Sequence, residues 1–335
     1  MILDTICQRT ENFIQQMPKE QRKQYGQFFT SRETARFMAS LVSADANSPL
    51  LTVLDAGAGS GILSVALAER MDDVLGKGQT LRLVCYENDP NILPLLRDNL
   101  ETVRRQCHYH FDYEIRPDNY ILSQADALDR HGLFGASAEL EQYDIVIGNP
   151  PYKKVAKDAP EAHLLSEVCH GAPNLYFLFA TMGVKNLKTD GEMVYIIPRS
   201  WTSGAYFERF RQWLFAHATL DYIHLFASRD KVFDKESVLQ ETMIIRLRGG
   251  VRPQPTVTIS TTATSRDFSQ RRTMTVATDT VVSSAQSRYV FLPTSEGETR
   301  VLHTLATMPD TLSGIGLRMK TGLVVDFRSR DMLRD

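Results

Sequence analysis

LLTVLDAGAGSGILSVALAER, residues 50–70, contains the change of period on which the fold turns. Its first half is a continuous apolar run closed by glycines, as a strand buried on both faces of a parallel sheet requires. Its second half repeats apolar residues at helical spacing. Between them lies Asp55-Ala56-Gly57-Ala58-Gly59-Ser60-Gly61. Glycines there let the backbone approach a ligand closely and leave the N–H groups of the helix start available. The spacing is GxGxG, with neither the GxGxxG of dinucleotide binders nor the GK[ST] of a phosphate loop. A ligand without a pyrophosphate is favoured, and a plain glycine turn packing helix on strand stays open.

Outward from this stretch the alternation continues. LRLVCYEND (81–89) predicts a second strand, followed by a helix over 90–106; YILSQADAL (120–128) predicts a third and YDIVIGNPP (143–151) a fourth. NLYFLFATMGVKNL (174–187) reads as helix, GEMVYIIPRS (191–200) as strand, 204–216 as helix, and 220–226 and 240–248 as strands. The fold class expected is α/β, a doubly wound, mostly parallel sheet with a C-terminal β-rich extension, binding ligands at the carboxyl ends of its strands. Residues 1–45 form an N-terminal helical segment (helices over 4–23, broken at Pro18, and 31–43), 46–249 the main domain, and 250–335 a β-rich linker, whose Thr- and Ser-rich start reads as β-hairpin or linker, with a helix near 295–308.

Composition narrows the class. With 43% hydrophobic and 23% charged residues the chain is an ordinary globular protein. No window reaches the roughly 18 consecutive apolar residues of a membrane helix, and MILDTICQRTENF lacks the pattern of a signal peptide. The cysteines Cys7, Cys85, Cys107 and Cys169 are scattered, against a disulfide framework or a metal site and in keeping with a reducing cytoplasm. Net charge is −2, but from Tyr195 onward 19 Lys and Arg face 14 Asp and Glu. A basic last part permits contact with nucleic acid; a solvated mixed surface is the plainer reading.

Three further positions carry chemistry. Glu87 ends the second strand and is placed to accept hydrogen bonds from ribose hydroxyls, or is a solvated loop residue. Asp126, at the end of the expected third strand, suits an adenine amino group or a helix N-cap. The sharpest signal is Asn149-Pro150-Pro151-Tyr152, directly after the fourth strand. Two prolines fix the backbone, the Pro150 carbonyl and the Asn149 side-chain oxygen can converge on one small donor, and Tyr152 is an aromatic plate beside them. That set suits a planar amine on a base stacked against the ring.

Asn-Pro-Pro-Tyr after a strand, with AGAGSG upstream and QYGQFFTSRETARFM (24–38) before the glycine loop, resembles the gamma-class (TaqI-like) N6-adenine DNA methyltransferases of restriction–modification systems. The resemblance spans roughly residues 24–248. It implies a Rossmann-like methyltransferase domain over 46–249, S-adenosylmethionine as cofactor, double-stranded DNA as partner, and a separate restriction endonuclease acting alongside. In such enzymes Phe28, Phe29 and Thr30 would lie against the methionine part of the cofactor. Asp55, Ala56, Gly57, Gly59 and Gly61 would hold its amino-acid end, Glu87 its ribose and Asp126 its adenine. Asn149 and Pro150 would receive the target amino group by direct in-line displacement, with Tyr152 on one face of the flipped base. Phe233, in SRDKVFDKESVLQETMIIRL (228–247), matches the aromatic of the other face, or is an ordinary hydrophobic loop residue. Arg199, Trp201, Lys153 and Lys154 lie beyond strand ends, where phosphates would pass.

Ala127 follows Asp126 where some members carry a bulkier residue. The terminal KTGLVVDFRSRD looks like the start of a target-recognition domain. The same Asn-Pro-Pro-Tyr serves enzymes that methylate protein glutamine or guanine N2 in RNA, but glutamine methyltransferases end soon after their fold closes, whereas about 180 residues follow Tyr152 here. A binding module that keeps the fold without the chemistry is the third alternative.

Overall fold

A computed structural model describes residues 2–16, 18, 29–43, 45, 47–128, 139–226, 241–310, 312 and 314–318. The Leu50–Ala56 run forms β1, the Gly57–Gly61 turn follows, and Ile62–Met71 forms helix α3; Ile2–Gln16 and Arg32–Ser40 are α1 and α2. The chain continues through β2 (Thr80–Tyr86), α4 (Leu93–Gln106), β3 (His110–Arg116), a short helix α5 (Ala125–Leu128), β4 (Tyr143–Gly148) and α6 (Pro160–Leu164). Helix α7 (Leu175–Lys185), β5 (Leu187–Pro198), α8 (Glu208–His217), β6 (Ala218–Phe226) and β7 (Thr242–Gly249) follow. Strands β8 (Thr256–Thr262) and β9 (Arg272–Ala277) close the series, with a helical turn α9 at Thr278–Val281.

The nine strands form one sheet in the order β3-β2-β1-β4-β5-β7-β6-β8-β9. Strands β3 to β5 are parallel neighbours, as the βα alternation requires. Strand β7 runs antiparallel between β5 and β6, and β9 antiparallel to β8. The sheet is mixed but mostly parallel on the side that matters for binding. One face is covered by α1 to α4 through Leu3, Ala35, Met38, Val65 and Leu96, the other by α7 and α8 through Phe177, Met182, Phe210 and Leu214. This explains why α3 and α7 are apolar almost all round.

The structure departs from the sequence reading in two places. The third strand lies at 110–116, where Phe111, Tyr113 and Ile115 alternate with charged residues, and not at 120–128. There Asn119 Oδ1 accepts the N–H groups of Ile121 (3.1 Å) and Leu122 (3.2 Å), which starts a helical turn instead of a ladder. Strands β8 and β9 continue the sheet past residue 249, and the compact unit runs to Thr294. The β-rich stretch expected from residue 250 onward thus forms two further strands of the same sheet. A second compact unit, residues 295–335, holds helix α10 (Glu296–Ala306), capped by Ser295 Oγ accepting the Glu298 N–H.

Polar ties secure the N-terminal segment. Glu192 on β5 accepts the Ser43 N–H (2.6 Å), and Arg246 on β7 donates to the Leu41 carbonyl (2.6 Å) and to Asp221 (2.8 Å). Arg211 is fully buried on α8 and donates to the carbonyls of Trp201, Gly204 and Ser287. With Trp201 buried as well, this residue belongs to the core and not to a surface that phosphates could reach.

Gly61 has φ +82°, and a Cβ there would meet Leu96 Cδ1 at 2.8 Å. Gly61→Ala is expected to cost ~1–2 kcal/mol for the left-handed backbone alone. For a chain of this length that loss lowers the melting temperature by about 1.5–3 °C; an unchanged melting temperature would show that the turn has no need of glycine.

Candidate functional site

Strand β1 is the switch point of the sheet: the chain leaves it toward β2 and β3, then returns to β4 on its other side. A cleft opens where the carboxyl ends part. It measures about 360 Å³ and is lined by Phe29 and Thr30, by Gly57, Ala58, Gly59 and Ser60 after β1, by Glu87 and Asn88 after β2, by Asp118, Asn119 and Tyr120 after β3, and by Asn149, Pro151 and Lys153 after β4. Glu161, Leu175 and Phe179 complete its wall.

The glycine turn is held from below and from the side. The Gly57 and Ala58 N–H groups both donate to the Tyr86 carbonyl (2.8 and 3.0 Å), which fastens the turn to the end of β2. Gly57 and Gly59 have φ of +78° and +56°, so their backbone faces the cleft without a side chain. Glu87 is buried, its Oε2 accepting the Gly59 N–H (2.8 Å) and its Oε1 the Asp89 N–H (2.8 Å). Burial raises its carboxyl above the ordinary value, and those N–H bonds pull it back.

After β4 the Asn-Pro-Pro-Tyr turn is pinned at several points. Asn149 donates from Nδ2 to Thr30 Oγ1 (3.2 Å). The Tyr152 hydroxyl donates to the Ile196 carbonyl (3.0 Å), and its half-buried ring meets Tyr176 edge-on at 6.3 Å. Asn174 caps α7, accepting the Tyr176 N–H at Oδ1, and donates from Nδ2 to the Tyr152 carbonyl. Lys154 bridges Asn174, while the Leu175 N–H donates to the Lys153 carbonyl (2.8 Å) and the Val155 N–H to that of Pro173 (2.9 Å). Lys153 and Lys154 are exposed; Arg199 pairs with Glu241.

Of the residues singled out in the sequence, Phe29, Thr30, Gly57, Gly59, Glu87 and Asn149 come together around this cleft. Ala56, Gly61 and Pro150 lie in the adjoining backbone, Ala56 and Pro150 buried. Asp126 does not join them: it sits exposed in the first turn of α5, because the segment is helical and not a strand end. The carboxylate that does line the cleft beyond β3 is Asp118. Its signal was the period-2 alternation of HFDYEIR just before it. Phe28 and Phe233 lie outside the described residues.

The lining carries the carboxylates of Glu87, Asp118 and Glu161 against one ammonium, Lys153. Such a balance favours a cationic ligand over a phosphate-bearing one. Among the described residues no group of three or more His, Cys, Asp or Glu could hold a metal, and no helix is long and apolar enough to cross a membrane.

Asp55 is buried behind the turn, not in the cleft wall. Ser64 Oγ donates to its Oδ2 (2.6 Å), and Oδ1 has no partner. Burial pushes this carboxyl up to about 7, with the Ser64 bond acting the other way. The neutral acid is thus the form the fold prefers, its contribution complete below a pH of about 4 and lost as pH rises through about 7. The stability of the wild type relative to Asp55→Asn, from urea denaturation, is expected to fall as pH rises across that window. A difference independent of pH would show that the buried carboxylate is ionised in the fold throughout.

The likeness to known proteins follows the same architecture. Residues 79–233 match the family described as Eco57I restriction-modification methylase. The chain is 31% identical over 319 residues to the Type II methyltransferase M.PstI of Providencia stuartii, covering 93% of this chain and 60% of that protein. It is 32% identical over 318 residues to the Type II methyltransferase M.BsuBI of Bacillus subtilis, covering 94% and 61%. The chain therefore spans about 60% of the length of these relatives. A Listeria monocytogenes protein described as a class I S-adenosylmethionine-dependent methyltransferase superposes with a TM-score of 0.54 at 15% identity, over 72% of this chain and 68% of that one. The fold is the Rossmann-like fold of that class, and residues 79–233 are similar to the Eco57I restriction-modification methylase family.

Proposed function

We propose that the chain transfers a methyl group from S-adenosylmethionine to N6 of adenine in double-stranded DNA, as the modification half of a restriction–modification system. The observation that carries this reading is that one acid-lined cleft is lined by the glycine turn, Glu87 and Asn149 together. The two Type II relatives support DNA as the acceptor.

The cofactor fits what lines the cleft. Its sulfonium and ammonium match the excess of carboxylates, and it has no phosphate to demand a cationic loop. Glu87 would hold the ribose hydroxyls, Asp118 the adenine amino group in place of Asp126, and the bare backbone of Gly57 and Gly59 the amino-acid end, with Phe29 beside it. When bound, the cofactor supplies a methyl group already activated for displacement.

The chain's own residues act on the acceptor. The N6 lone pair of adenine is delocalised into the ring and is a poor nucleophile. Asn149 Oδ1 and the Pro150 carbonyl accept the two N–H bonds of that amine, drawing the nitrogen toward tetrahedral geometry and sharing the positive charge that develops on it. Tyr152 gives the flipped base an aromatic face, with its hydroxyl tied into β5 so that the ring is set in advance. Stacking offsets part of the flipping cost at ~1–3 kcal/mol per base.

The test is incubation with S-adenosylmethionine and long unmethylated duplex DNA, digestion to nucleosides and mass spectrometry. N6-methyladenine is expected from the wild type, and none from Asn149→Ala although that variant still binds cofactor. Turnover in Asn149→Ala, or a methylated base other than adenine, would refute the reading. In the same material Glu87→Gln is expected to weaken cofactor binding by about tenfold, the loss of a charge-assisted hydrogen bond; an unchanged affinity by calorimetry would place the ribose elsewhere.

A further inference from the structure

The bond between Asn149 and Thr30 has a consequence for the reaction. A side-chain amide has a donor end and an acceptor end, and only the acceptor end can receive an amine proton. Asn149 turns its Nδ2 to Thr30 Oγ1 at 3.2 Å. We propose that Thr30 is a positioning residue for methyl transfer: its hydroxyl oxygen holds the Asn149 amide with Oδ1 directed to the target amine. This inference rests on the reading above of Asn149 as the acceptor of that amine.

Thr30 is well built for the task. It is only 7% exposed, so water competes little for its oxygen. The next residue, Ser31, is the N-cap of α2, its Oγ accepting the Thr34 N–H (3.3 Å) and its carbonyl the Ala35 N–H (2.9 Å). Helix α2 is itself seated by Ala35 and Met38, both fully buried. The hydroxyl is therefore carried on a capped, packed helix start, and the amide is oriented by a support 119 residues away in the chain. Thr30 also lines the cleft. A role confined to holding cofactor would show in cofactor affinity, whereas orientation of Asn149 shows in the rate once cofactor is bound.

Two variants separate these roles: Thr30→Val keeps the shape and removes the acceptor, and Thr30→Ser keeps the acceptor. In the full chain, the Asn149 side-chain amide protons followed by nitrogen-edited NMR are expected to exchange with water about tenfold faster in Thr30→Val than in wild type or Thr30→Ser. With cofactor saturating, the single-turnover methylation rate is expected to fall about 10- to 100-fold in Thr30→Val, as misplacement of a reacting group does. It returns to near the wild-type rate in Thr30→Ser. Equal amide exchange in all three proteins would overturn the proposal. So would a Thr30→Val defect confined to cofactor affinity, with the saturated rate intact. Failure of the wild type to methylate DNA at all would refute the function proposed above, while the exchange measurement would still decide whether Thr30 orients the amide.

Discussion

The parallel ladder between β1 and β4, in which Val53, Leu54 and Asp55 pair with Ile145, Val146 and Ile147, sets the spacing of everything that touches the cleft. Two parallel strands end at the same level, so the glycine turn after β1 and the Asn-Pro-Pro-Tyr turn after β4 must emerge side by side. Their common origin in one hydrogen-bonded ladder means that neither can shift without the other. Strand β2, paired with β1 over seven residues, brings Glu87 to the same edge, and the Tyr86 carbonyl then receives two N–H groups of the glycine turn. The cleft is a product of register, and the sites on it are rigid because strands carry them.

That dependence explains which parts were legible in the sequence. Strands β1, β2 and β4 are buried on both faces, so each reads as a short apolar run with a polar motif at its end, and the motifs locate themselves. Strand β3 is an edge strand, with one half-buried face and a charged one, and its alternation of Phe111, Tyr113 and Ile115 is a weaker signal than the apolar YIL that follows. What decided between the two was a side chain: Asn119 caps the turn after it and makes 120–128 helical. Local apolar content could not reveal that competition, and the presence of Asp118, not Asp126, in the lining of the cleft follows from it directly.

The C-terminal strands were harder for another reason. TVTISTT and RTMTVA read as linker or hairpin because Thr and Ser dominate them; they pair antiparallel, and Val257 and Ile259 are fully buried against the same core as β6. The polar residues are absorbed by pairing among themselves. His224 on β6 meets the hydroxyls of Ser260 (2.7 Å) and Thr262 (3.1 Å), and Tyr222 meets Ser260 (2.7 Å). Burial with those partners, and Arg271 nearby, lowers the His224 pKa to about 3, so the ring stays neutral and works as a link between strands. Buried hydroxyl networks of this kind are invisible to hydrophobic patterning, because satisfaction depends on which strand lies next door.

The same accounting separates the two buried carboxylates near the turn. Asp55 and Glu87 are both desolvated, and in both that desolvation raises the pKa. They differ in what offsets it. Glu87 accepts two backbone N–H groups, one of them from the glycine turn itself, so its oxygens are already held in place at the wall of the cleft. A ligand hydroxyl arriving there adds a donor to a carboxylate that need not move, and the cost of ordering it has been met by folding. Asp55 is met at Oδ2 by Ser64 and has one oxygen with no partner, and it lies behind the wall, not in it. Its part is to brace β1 against α3 through Ser64, keeping the turn between them at the height where Gly57 and Gly59 present bare backbone. Two carboxylates of similar burial thus divide the work: one faces the cleft, the other supports the backbone that does.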